Sequence, residues 1–113
     1  VQVKDLILPQ RGWFVGVFSD DGDALALSLC DRGNRAHELA IVIFTEELLA
    51  RKWRDEHQPG QQVQSYDSAD QAKEWIATAM RQCRQVKYVA IDPITSGAAV
   101  RMRALFVEID LSA

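Results

Sequence analysis

His37 and Glu38 stand just ahead of one apolar run, and Asp92 just behind another. An imidazole with two carboxylates can do general acid–base work, one group taking a proton while another returns or orients it. Thr95-Ser96-Gly97 follows Asp92 closely. Hydroxyls and backbone N–H groups in such a turn suit a phosphate or another anion. Together these residues outline a small enzyme or a ligand-binding domain. Against that outline, no nucleophile sits in a recognisable elbow beside them, and neither GxGxxG nor GxxxxGK followed by Ser or Thr occurs. Catalysis needs a matched constellation. No residue is assigned as catalytic, and the more economical reading is a surface histidine and a connecting loop.

A second chemistry lies in charge. Residues 1–79 hold 8 basic and 13 acidic side chains, whereas residues 80–103 set Arg81, Arg84, Lys87, Arg101 and Arg103 against Asp92 alone. If the chain folds these arginines together they form an anion, nucleic-acid or acidic-partner site. The net charge of −3 argues against nucleic acid, whose binding domains are usually basic overall, and no exposed aromatic ladder accompanies the arginines. Metal chemistry has less support still. Cys30 and Cys83 lack CxxC or CxxH spacing, and His37 and His57 are too few and too far apart to complete a zinc set. Asp20-Asp-Gly-Asp23 lacks the alternating early ligands and closing glutamate of a calcium loop, and reads as a solvated hairpin tip. No cofactor is expected.

The elements that would position these groups follow from periodicity. Gly12–Phe18 reads as a strand with Trp13, Val15 and Val17 on one side and Phe14 and Phe18 on the other. Leu25, Leu27 and Leu29 alternate with small residues as a second strand, and Glu38–Phe44 reads as a central third, the three forming a meander. Thr45 is expected to cap a helix carrying Leu48, Leu49 and Trp53 inward, with Glu47 and Arg51 paired on its surface. Val63–Tyr66 reads as a short edge strand. Ser68 and Gln71 make a capping-box pattern ahead of Ala72, Trp75, Ile76, Ala79, Met80 and Cys83 at helical spacing. Lys87–Pro93 is a buried strand stopped by proline, and Ala104–Asp110 a terminal strand extended back through Val100 and Met102.

These 113 residues, 48% apolar, suit one domain spanning 1–113, without a linker, repeat or low-complexity tract. No apolar run is long enough to cross a membrane as a helix, and no charged-then-apolar leader opens the chain. The expected fold class is α+β, a two-layer arrangement of a largely antiparallel, roughly five-stranded sheet with two helices on one face.

Ile41-Val-Ile-Phe-Thr-Glu-Glu-Leu-Leu-Ala-Arg-Lys-Trp53 and Tyr88-Val-Ala-Ile-Asp-Pro93 resemble the bacterial SseB-like family (enhanced serine sensitivity protein B, amino-terminal domain). By order of elements the likeness covers roughly residues 12–110, with a departure at Ile94–Met102. It implies an α+β domain of bacterial origin, cytoplasmic, without established catalytic residues, so no family site residue is carried over. Two helices on one face would leave apolar sheet uncovered. The leading expectation is therefore a non-catalytic interaction or regulatory module that forms a homodimer or binds a protein partner. The enzyme and arginine-site readings are its alternatives.

Overall fold

The structure, a computed structural model, describes residues 1–32, 35–96 and 101–110, with side chains at 1–30, 39–94 and 105–110. Its strands are β1 (Gly12–Phe18), β2 (Ala24–Leu27), β3 (Leu29–Arg32), β4 (Arg35–Phe44), β5 (Gln62–Tyr66), β6 (Val86–Ser96) and β7 (Arg101–Glu108). The helices are α1 (Glu47–His57), after β4, and α2 (Ala69–Gln82), after β5. This is an α+β chain with one mostly antiparallel sheet, and the expectation of five strands is corrected to seven. Only β4 and β6 run parallel, from Leu39 opposite Val86 to Ile43 opposite Ile91.

The extra strands have a local cause at Ser28. The run expected as one strand breaks there, β2 pairing antiparallel with β1 and β3 antiparallel with β4. Because β1 and β4 are themselves antiparallel, β2 and β3 must run in opposite directions. Ser28 sits at the fork, its N–H donating to the Val15 carbonyl (2.8 Å) and its carbonyl accepting from Val42 N–H (3.3 Å). Below the fork β1 and β4 pair directly, Trp13 with Phe44 and Phe14 with Ile43. The expected three-strand meander is thus two hairpins joined at one residue. Gly16 lets the first hairpin close, since a Cβ there would fall 2.4 Å from the Ala26 carbonyl oxygen.

The two helices cover opposite faces. Phe14, Phe18, Ile41, Ile43 and Val89 pack with Ala72, Trp75, Ile76, Ala79 and Met80 of α2. Their neighbours along the strands, Val15, Ala40, Val42, Phe44, Tyr88 and Ala90, pack with Ala50 and Trp53 of α1. The expectation of both helices on one face is therefore corrected: the central strands alternate their large residues between two cores. Cys30 belongs to the α1 side and Cys83 packs on the α2 side, so the sheet stands between them.

Local signals explain α2 well. Ser68 is its N-cap and accepts from Gln71 N–H at 3.2 Å, while the Gln71 side chain reaches back to Asp67 N–H at 3.3 Å. For α1 the expected cap is displaced by one residue. Glu46 is the N-cap and makes no side-chain cap bond. The Thr45 hydroxyl instead donates to the Asp92 carboxylate at 2.7 Å.

Candidate functional site

Asp92 lies in β6 at φ +52°, the left-handed region that a short polar side chain tolerates better than most. The β6–β7 register jumps there from Ile91–Leu105 to Ile94–Arg103, so Asp92-Pro93 holds one residue more than its partner. That bulge lets β6 pass through Pro93 and continue to Ser96, where the sequence suggested a stop, because a bulged proline has no ladder bond to lose. The Asp92 carboxylate accepts from Thr45 N–H (2.8 Å) and from the Thr45 hydroxyl. Both oxygens are engaged by the turn that begins α1. In this arrangement Asp92 works as a tie between β6 and the β4–α1 junction.

The parallel register separates the proposed acid–base set. Asp92 follows Ile91, which faces Ile43 near the end of β4, whereas His37 and Glu38 lie near that strand's start. At a strand rise of about 3.3 Å per residue, His37 and Asp92 stand some 20–25 Å apart. Thr95 and Ser96 lie on the Asp92 side, pairing through the backbone with Met102 and Arg101. The side chains of His37, Glu38, Thr95, Ser96, Arg101 and Arg103, and the whole of Gly97, are outside the described residues.

The arginines divide in the same way. Arg81 is exposed in the last turn of α2 and Arg84 just beyond it, near Val86 at the start of β6. The β7 residue beside that end of β6 is Glu108, opposite Tyr88. Arg101 and Arg103 pair at the far end, with Ser96 and Ile94. From Val86 to Ile94 the strand extends about 25 Å, so the backbone does not gather the four into one patch.

Two hollows mark the described surface. One, about 40 Å³, lies between Leu49, Trp53, Pro93 and Ile94, beside the Asp92 bulge. That is room for about one water, whose share of liquid volume is about 30 Å³, and well below a metabolite pocket. The other is a wide groove of about 820 Å³ along α2, where Lys4, Lys73 and Arg81 alternate with Asp70 and Glu74. Lys73 already donates to the Lys4 carbonyl across it at 2.9 Å. Among the described residues, no group of three or more His, Cys, Asp or Glu side chains is placed to hold a metal ion. No described helix is long and apolar enough to cross a membrane.

The most accessible binding chemistry is backbone. β7 ends the main strand order and pairs on one side, with β6. Ile109 N–H donates inward to the Lys87 carbonyl at 2.8 Å, so odd-numbered β7 residues turn their backbone groups toward β6. The even residues Met102, Ala104 and Phe106 turn theirs outward. Farther along, the chain's opening residues occupy that outer side. Val1 N–H donates to the Glu108 carbonyl (3.1 Å), and Asp110 N–H donates to the Val1 carbonyl (2.7 Å). The bridge of Gln2 with Asp110 is parallel.

Leu105 lies in this open stretch and is 64% exposed, while Phe106 is half-buried against Tyr88 on the other face. Sequence reasoning marked the arginines here and missed Leu105 and the edge itself. The signal available was a terminal strand with an apolar centre. No family model and no curated protein matches the chain.

Proposed function

We propose that this protein is a non-catalytic interaction module of the bacterial cytoplasm that docks a protein partner by adding a strand to β7. The observation that carries the reading is the open stretch of β7. Outward N–H and C=O groups at Met102, Ala104 and Phe106 face no strand among the described residues, and exposed Leu105 lies between them. Such an edge is a ready template for an extended chain, with main-chain hydrogen bonds giving affinity and flanking side chains specificity. The other outer strand, β5, is shorter and reads Gln-Val-Gln-Ser-Tyr, a poorer apolar seat. The likeness to the SseB-like family belongs to the same proposal. The two segments that carry it, Ile41–Trp53 and Tyr88–Pro93, are brought side by side by the β4–β6 pairing.

A photo-reactive p-benzoylphenylalanine at position 105, compared with one at position 7, tests this in cell extract. Ile7 is 95% exposed and belongs to no strand. Protein adducts are expected chiefly from position 105. Equal or greater yield from position 7 would remove the reading.

A further inference from the structure

Resting on the strand-docking reading, we infer that the partner strand is β7 of a second copy, paired antiparallel about a two-fold axis at Ala104. The argument is one of register. A two-fold axis normal to the sheet keeps the α1 side of one copy level with the α1 side of the other, so directly opposed residues share a face. Backbone groups that point outward must also meet groups that point outward. Both conditions require even-numbered residues of β7 to oppose even-numbered ones.

The ends of the open stretch then select one alignment. Placing Ala104 opposite Phe106 would bring Met102 opposite Glu108, whose carbonyl already accepts from Val1 N–H. Placing Ala104 opposite Met102 would push Phe106 beyond the start of β7 at Arg101. Centring on Ala104 sets Met102 opposite Phe106 and Ala104 opposite itself. Every outward N–H and C=O of these residues then finds a partner. The capping of residues 108–110 by the first residues of the chain is what makes the open stretch its own match.

The same alignment treats Leu105. It stands opposite Arg103 of the second copy, with the two leucines diagonal across the axis, close enough for long side chains to meet. The interface is one strand wide, so it belongs with small, exchanging contacts below the roughly 1,200 Å² of stable complexes.

Sedimentation of the purified chain from micromolar to millimolar concentration reads this directly. The expected mass rises toward twice the 12.7 kDa of one chain. Amide exchange should slow with concentration at Met102, Ala104 and Phe106, and stay unchanged at Arg103, Leu105 and Val107. Ala104→Pro removes an outward N–H while leaving the β6 ladder intact, and should hold the chain monomeric. Leu105→Glu and Leu105→Lys, both at an exposed position, fix the register. Opposite Arg103, Glu should tighten and Lys should weaken the dimer, each by about fivefold.

A chain monomeric at millimolar concentration overturns the inference, as does a dimer indifferent to Ala104→Pro. So does a dimer in which Glu and Lys at position 105 act alike, even if Ala104→Pro fails to fold. Adducts from position 105 to a different protein, beside a monomeric chain, would overturn this inference and leave strand docking standing. Loss of those adducts as well would remove both.

Discussion

On the α2 side of the sheet, Trp75 lies 5.4 Å, ring centre to ring centre, from both Phe14 and Phe18, and Phe14 lies 5.4 Å from Tyr66. On the α1 side, Trp53 meets Phe44 at 6.1 Å and His57 at 4.8 Å, and its indole N–H is buried with no acceptor. The helices differ at their starts as well. α2 has a reciprocal cap within its own first turn, whereas the start of α1 is fastened by Asp92, a residue from a strand far along the chain. One face is therefore built from neighbours in sequence around a continuous aromatic cluster. The other depends on a long-range tie and tolerates an unpaired donor.

Mutations should separate the faces. Trp75→Ala is expected to cost about 3–5 kcal/mol in denaturant unfolding, since it empties the centre of the aromatic cluster. Trp53→Ala should cost less, because the truncation also removes a buried N–H whose lack of a partner costs about 1–3 kcal/mol. Equal losses would mean that the two cores are equivalent.

The tie comes next in size. Asp92→Ala removes both acceptors from Thr45 and should lower stability by about 2 kcal/mol, the range of hydrogen bonds to a charged group. Asp92→Asn keeps an acceptor and tolerates the left-handed backbone, so it should recover part of that loss. The amides of the first turn of α1 should exchange faster in the alanine variant, and those of α2 should not. Acceleration in both helices would show that the faces are coupled through the sheet.

The smallest effect concerns Tyr66, whose hydroxyl donates to the Pro9 carbonyl at 2.8 Å beneath the α2 face. Tyr66→Phe should cost about 1 kcal/mol. Burial holds the Tyr66 hydroxyl above its ordinary pKa, so the folded chain retains the proton more tightly than the unfolded one. Its contribution is complete below the unfolded value of about 10 and is lost as pH rises through the folded value. Stability of the parent chain should fall in that alkaline window more steeply than that of the phenylalanine variant, as read by urea unfolding across pH.

What could be read from the sequence was what neighbours decide. The buried set Ala72, Trp75, Ile76, Ala79 and Met80 follows from helical spacing, and the Ser68–Gln71 cap from residues three apart. The alternation of Phe14 and Val15 correctly split them between faces. Which helix covers which face was not encoded locally. It follows from the parallel pairing of β4 with β6 across α1, β5 and α2, and no turn residue announces that pairing. Asp92 was visible as a carboxylate after a strand, but its role depends on the register that brings Thr45 to it. The open stretch of β7 was hidden for the same reason: its length is set by where the opening residues of the chain return to cover residues 108–110.

Ser28 has a kinetic consequence. The β1–β2 hairpin closes between Phe18 and Ala24, and the β3–β4 hairpin between Arg32 and Arg35, so each needs only a short loop. Hairpins of this kind form in about 1–10 μs, whereas β4 and β6 must close a loop containing two helices. Ser28 belongs to neither hairpin, yet its N–H and carbonyl bond to one strand of each. In the order of assembly it is the joint at which two independently closing units become a single sheet.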